Sequence, residues 1–262
     1  MARKIVITSG KGGVGKTTVT ANLGRALASL GQRVVLVDVD FGLNNLDVVM
    51  GVERKILYDI TDVINGRCRL KQALIQDLER KNLYILASGN SSLAMNIQGQ
   101  NIKLIIDSLS AVFDYVIIDC PAGIELGFHR AVACVDEALL VATPNLTSLR
   151  DADKVLSILA SYNLNSTKLI INRVRGDLIL DKKVLSPIDI GSLLKIETIG
   201  VLPEEDAVFL SNGNNLPNRS ESFKAYKLLA KNLRDGSNKL LDLTSRYSGF
   251  FGSIKRGIKR SI

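Results

Sequence analysis

The sequence predicts an α/β fold: a doubly wound, mostly parallel sheet with helices on both faces, followed by a C-terminal amphipathic tail. Short, nearly all-apolar runs recur at residues 5–8, 34–37, 83–86, 115–118, 138–142, 169–171 and 199–202. Such runs mark parallel strands buried on both faces. Longer stretches with helical periodicity lie among them, at 16–30, 101–113, 148–162 and 222–233. Strands alternating with helices imply a doubly wound sheet. A glycine-rich loop joins the first strand to the first helix, and sites in such sheets gather at the carboxyl ends of the strands.

The chain opens with Met1-Ala2-Arg3-Lys4 and passes straight into the strand-like Ile5-Val6-Ile7. A secretory signal would place a longer apolar stretch and a cleavage site there. No apolar run approaches the ~20 residues of a membrane-spanning helix. The expected location is therefore cytoplasmic. Gly31 stands where a helix C-cap glycine belongs, closing the first helix. After about Asp235 the strand–helix pattern weakens, dividing the chain into a P-loop domain (1–235), a linker (236–248) and a tail (249–262).

The 262 residues are 46% hydrophobic and 23% charged, enough to bury a sizeable core. The three cysteines, Cys68, Cys120 and Cys134, have no close metal-ligand spacing and read as small apolar residues. His129 is the only histidine, which excludes a His-based metal cage. The net charge is +8, and five basic residues with no acid lie between Arg246 and the end. The excess is thus concentrated in the tail, leaving little for a basic face on the body.

Gly10-Lys11-Gly12-Gly13-Val14-Gly15-Lys16-Thr17 matches G-x-x-x-x-G-K-[ST] between a strand and a helix, the context that motif requires. Glycines let backbone N–H groups converge on phosphate oxygens, and the following helix adds its positive end. Lys16 supplies a charge to the outer phosphates, and the Thr17 hydroxyl suits Mg²⁺. Thr18 completes the expected nucleotide-binding set. Asp38 ends the second strand, Asp40 follows, and Asp119 ends the 115–118 strand. Carboxylates beside such a loop can hold Mg²⁺ through its waters or orient an attacking water.

Lys11, a second lysine early in the loop, resembles the deviant K-G-G-x-G-K-[ST] signature of the MinD/ParA class of P-loop ATPases. The resemblance extends along the chain. Residues 40–51, 58–63 and 68–74 resemble the first switch region of the MinD branch and the segments after it, and Asp119-Cys120-Pro121-Ala122-Gly123-Ile124-Glu125 resembles its second switch. Thr143-Pro144, Arg150-Asp151-Ala152-Asp153 and Gly200-Val201-Leu202-Pro203-Glu204 continue it. It implies an ATP-sandwich homodimer in which Lys11 reaches the partner's nucleotide. It assigns Asp40 to water activation, Asp38 and Asp119 to the magnesium shell, and Asn172 to adenine, with Arg173 and Pro203 shaping the base pocket. Departures stand at Asn44, where the family usually carries arginine, at Asn145, where glutamate is common, and in the uncharged stretch 88–98.

On a helical wheel, Phe250, Ile254, Ile258 and Ile262 drift across one face with Phe251 beside them, and Lys255, Arg256, Lys259 and Arg260 occupy much of the rest. An apolar face bordered by cations is the design of a helix lying in an anionic membrane interface. Each basic residue there is worth about 1 kcal/mol. The resemblance then implies a slow, partner-stimulated ATPase that cycles on the membrane and positions the division septum. Its implied partners are a MinC-like division inhibitor and a MinE-like activator. A flagellar-number ATPase and a ParA-like DNA-segregating ATPase are the alternatives. The charge distribution and the apolar tail face count against nucleic acid.

Overall fold

The computed structural model describes residues 2–41, 44–89, 97–211, 214–249 and 252. The strands are β1 (Arg3–Thr8), β2 (Val34–Asp38), β3 (Leu74–Gln76), β4 (Leu83–Leu86), β5 (Tyr115–Asp119), β6 (Glu137–Ala142), β7 (Ser166–Val174) and β8 (Thr198–Pro203). The helices are α1 (Lys16–Ser29), α2 (Leu46–Met50), α3 (Ile60–Ile64), α4 (Leu70–Ala73), α5 (Gly99–Ser110), α6 (Leu126–Val132), α7 (Leu146–Leu159), α8 (Gly176–Leu180), α9 (Pro187–Leu194), α10 (Asp206–Leu210) and α11 (Glu221–Asp235).

The strands form one sheet in the order β3-β4-β2-β5-β1-β6-β7-β8, parallel except for the antiparallel β3–β4 edge pair. The fold class expected from the sequence is thus the one observed. All seven expected strands form, and the short β3 is an addition. Its three residues, Leu74-Ile75-Gln76, are too few to show a period.

Alternation along each strand feeds two cores. Ile5, Ile7, Leu36 and Ile117 pack on one face beneath α1, α2 and α11. Val6, Val35, Val37, Val116 and Ile118 pack on the other beneath α5, α6 and α7. Ile5, Val6 and Ile7 are all fully buried, which is why β1 shows no polar alternation.

α1 ends as the sequence indicates. Gly31 is left-handed (φ 85), its N–H bonds Ala28 O at 3.0 Å, and the Gln32 N–H bonds Leu27 O at 3.2 Å. This is the paired C-terminal motif that a left-handed glycine permits.

β1 lies at the centre between β5 and β6. The chain leaves β1 toward β2 on one side and later crosses to β6 on the other. That reversal opens a crevice at the carboxyl ends of the central strands. Beyond α11, Leu243 and Tyr247 are buried, and the short 3₁₀ turn Ser245–Tyr247 lies against α8. Of the membrane-facing tail expected from the sequence, Phe250, Phe251, Ile254, Lys255, Arg256, Ile258, Lys259, Arg260 and Ile262 lie outside the described residues. No helix among the described residues is long and apolar enough to cross a membrane.

Candidate nucleotide site

The phosphate loop occupies the crevice between β1 and α1. Gly13 (φ 77) and Gly15 (φ 98) are left-handed, a conformation open to glycine at little cost. Gly15 is the N-cap of α1, and no side chain caps that end. The first-turn N–H groups therefore remain available to an anion. A Cβ on Gly10 would run into the backbone of Asp151, so the loop passes too close to α7 for any side chain there. Ser9 Oγ donates to Lys11 O at 2.8 Å, and Asn172 Nδ2 donates to Val14 O at 2.8 Å. Two neighbours thus brace the loop from opposite ends.

The carboxylates come together through sheet register. Asp38 on β2 pairs directly with Asp119 on β5, and Asp119 lies opposite Ile7 of β1. Both are almost fully buried, at 1% and 3% exposure. Burial pushes Asp119 up to about 6, opposed by the Thr17 hydroxyl, the Lys16 charge and the Thr20 hydroxyl. Burial also holds Asp38 well above the usual carboxylate range, reinforced by Asp119 and opposed by the backbone N–H groups of Asp40 and Leu46. Asp40 is half-buried, and its N–H donates to Asp38 Oδ1 at 2.8 Å.

Two adjacent buried carboxylates with shifts in the same direction form a site short of positive charge. Beside the Thr17 hydroxyl they offer the hard oxygen ligands that Mg²⁺ prefers. The residues present therefore fit that ion.

A second lobe of the crevice lies beyond the loop. Gly15, Thr18, Asn172, Arg173, Pro203 and Phe209 are among the residues lining a cavity of about 340 Å³ there. Asn172 is buried while Arg173 is exposed. Arg173 is left-handed (φ 55) within an irregular stretch of β7 register, a strained non-glycine conformation of the kind that clusters at functional sites. Lys11, exposed, lines an adjoining cavity of about 360 Å³ with Thr143, Pro144 and Asn145.

The structure thus brings the loop, the three aspartates, Asn172, Arg173 and Pro203 to one crevice. It also supplies residues the sequence did not single out. Thr20 Oγ1 lies 3.1 Å from Asp119 Oδ1 and 3.0 Å from Lys16 O, so its single proton can go to either acceptor and the hydroxyl sits between loop and carboxylate. Its position one helical turn after Lys16 was the available signal. Asn145, a departure from the family pattern, has a structural task. Its Oδ1 accepts from the Ser148 N–H at 2.8 Å as the N-cap of α7, while its Nδ2 donates to Thr143 Oγ1 at 2.7 Å.

Cys120 and Cys134 are buried, with thiols that burial pushes up to about 12 and about 11. Among the described residues no group of three or more His, Cys, Asp or Glu forms a metal-binding cluster.

Comparison with known proteins places this crevice in context. The AAA domain family matches residues 2–171. The septum site-determining protein MinD of Synechocystis is 40% identical over 261 residues, covering 98% of each chain. The structure of a MinC:MinD cell division protein complex from Aquifex aeolicus matches with a TM-score of 0.85 at 40% identity, covering 92% of this chain and 98% of that one. The septum site-determining protein MinD from Pyrococcus horikoshii, complexed with Mg-ADP, matches with a TM-score of 0.81 at 31% identity, covering 89% and 96%. Site geometry, fold and near full-length similarity agree: the chain belongs to the MinD family of P-loop ATPases.

Proposed function

We propose that this chain binds and slowly hydrolyses ATP with Mg²⁺, dimerises around the nucleotide, and uses that cycle to bring a division inhibitor to the membrane. The carrying observation is the open N-terminus of α1 facing the buried Asp38–Asp119 pair across one crevice. Lys16 and the loop N–H groups bind the phosphates. Thr17, Asp38 and Asp119 hold Mg²⁺, which neutralises charge on the phosphates when bound. Asp40 orients the attacking water. Phosphoryl transfer needs positioning and charge neutralisation, and no covalent nucleophile. A slow basal rate leaves acceleration to a partner, and a MinE-like activator is assigned that role.

Asn172, Arg173 and Pro203 receive the adenine. Lys11 reaches the nucleotide of a second copy. The MinC:MinD complex from Aquifex aeolicus supports a MinC-like inhibitor as partner. The tail, with its apolar face and cations, attaches the dimer reversibly to the anionic inner face of the cell membrane. Two short tails on one dimer bind far more tightly than one.

Co-sedimentation with anionic liposomes tests the reading. ATP or a non-hydrolysable analogue brings the chain down, ADP does not, and deleting residues 249–262 abolishes sedimentation while ATP binding persists. Equal sedimentation of the truncated chain overturns the anchor, and equal sedimentation with ADP overturns the switch. DNA retention in place of liposome binding would favour a DNA-segregating role.

A further inference from the structure

Phe209 is 82% exposed, yet it lines the cavity beside Asn172 and Pro203. An exposed phenylalanine leaves a large apolar area in water. Its position is fixed by its neighbours on the one-turn helix α10. Val208 packs against the core beneath α1 and α11. Glu205, the residue before α10, accepts from the Ser222 N–H at 2.8 Å and the Glu221 N–H at 3.3 Å, tying the segment to the start of α11. The helix is therefore held at both ends of its first turn, while the Phe209 ring is left free over the cavity.

The rest of the lining is complementary. Asn172 provides a polar edge, with its Nδ2 engaged by Val14 O. Leu202 and Pro203 provide apolar surface. Two aromatic rings line the cavity, Tyr226 and Phe209; Tyr226 is only 3% exposed, so Phe209 is the ring open to a ligand.

Building on the ATP reading above, we propose that Phe209 is a base-binding residue that stacks on the purine ring of the bound nucleotide and closes the base cavity. Stacking on an aromatic ring is driven by the π-face and apolar area, so it recognises the base and is indifferent to the phosphates.

The chain contains no tryptophan. Phe209→Trp therefore installs the chain's one tryptophan at the site, which can be excited selectively over the tyrosines. With Mg²⁺ present, ATP and ADP quench its emission, and tripolyphosphate, which has the charge but no base, leaves it unchanged. Phe209→Ala weakens ATP and ADP about tenfold, with tripolyphosphate affinity unaltered. Leu210 is a matched control, because it is 69% exposed on the same helix but lies outside the cavity lining. Leu210→Ala keeps the affinity of the unaltered chain. Unchanged nucleotide affinity in Phe209→Ala, an equal loss in Leu210→Ala, or equal quenching by tripolyphosphate each overturns the inference. If the unaltered chain binds no ATP by equilibrium dialysis, the ATP reading itself falls and the inference goes with it.

Discussion

At the scale of single residues, the proposed function separates holding the nucleotide from cleaving it. Asp38 and Asp119 are buried and locked in sheet register, whereas Asp40 is half-buried and lies beyond the strand end. Asp40→Ala is expected to bind ATP within a few-fold of the unaltered chain while losing hydrolysis, measured as phosphate release under single-turnover conditions. Undiminished release would remove Asp40 from the chemistry. Thr20 makes a subtler case. Its hydroxyl lies between Asp119 and the Lys16 carbonyl, and a hydrogen bond donated to a carboxylate contributes about 1.5–3 kcal/mol. Thr20→Val keeps the shape and removes the donor, so half-saturation of nucleotide binding moves to higher Mg²⁺ concentration. Magnesium titrations that superimpose would reject this.

Legibility in the sequence follows the same division. The phosphate loop, Asp38, Asp40 and Asp119 could be read because their chemistry depends on spacing within short segments. Thr20 and Phe209 could not, because each acts on a partner brought close only by folding. Asn145 stood out as a departure from a pattern, and its capping of α7 emerged only when Ser148 was placed beside it.

At the scale of elements, α7 does more than cover the sheet. Asp151 on its first turns fixes how close the loop can pass, and Gly10 is the residue that lets it pass. Gly10→Ala forces a methyl group against the Asp151 backbone and is expected to cost about 1–3 kcal/mol, the range for overpacked sites. Urea unfolding without nucleotide should show the loss. An unchanged midpoint would mean that the loop can move aside freely. The N-cap offers a gentler variant. Asn145→Ala removes the α7 cap, and a lost cap costs about 1 kcal/mol. Helix existence was legible from periodicity, and α1 even from its closing glycine. The one-turn helices α2, α3, α4, α8 and α10 were not, since five or fewer residues complete too little of a period, and α6 and α9, of seven and eight residues, were missed as well.

For the whole molecule, the sheet order decides what the rim of the crevice exposes. Strand alternation reveals an α/β fold, but the order β3-β4-β2-β5-β1-β6-β7-β8 is set by tertiary pairing that no local pattern encodes. That order puts the crevice on the outer rim of the sheet, with Lys11 exposed at its mouth beside Thr143, Pro144 and Asn145. In the proposed function Lys16 serves the phosphates from within the loop, which leaves an exposed second lysine to meet a nucleotide held by another copy. Lys11→Ala should then bind ATP with little loss, because the loop N–H groups and Lys16 are intact. It should nevertheless remain a monomer with a non-hydrolysable ATP analogue, as read by light scattering on a sizing column, whereas Asp40→Ala accumulates as an ATP dimer. Two tails act together only in a dimer, so Lys11→Ala should also fail to sediment with anionic liposomes despite carrying the tail unaltered. A Lys11→Ala chain that dimerises and sediments normally would uncouple this lysine from assembly and confine its role to a single copy.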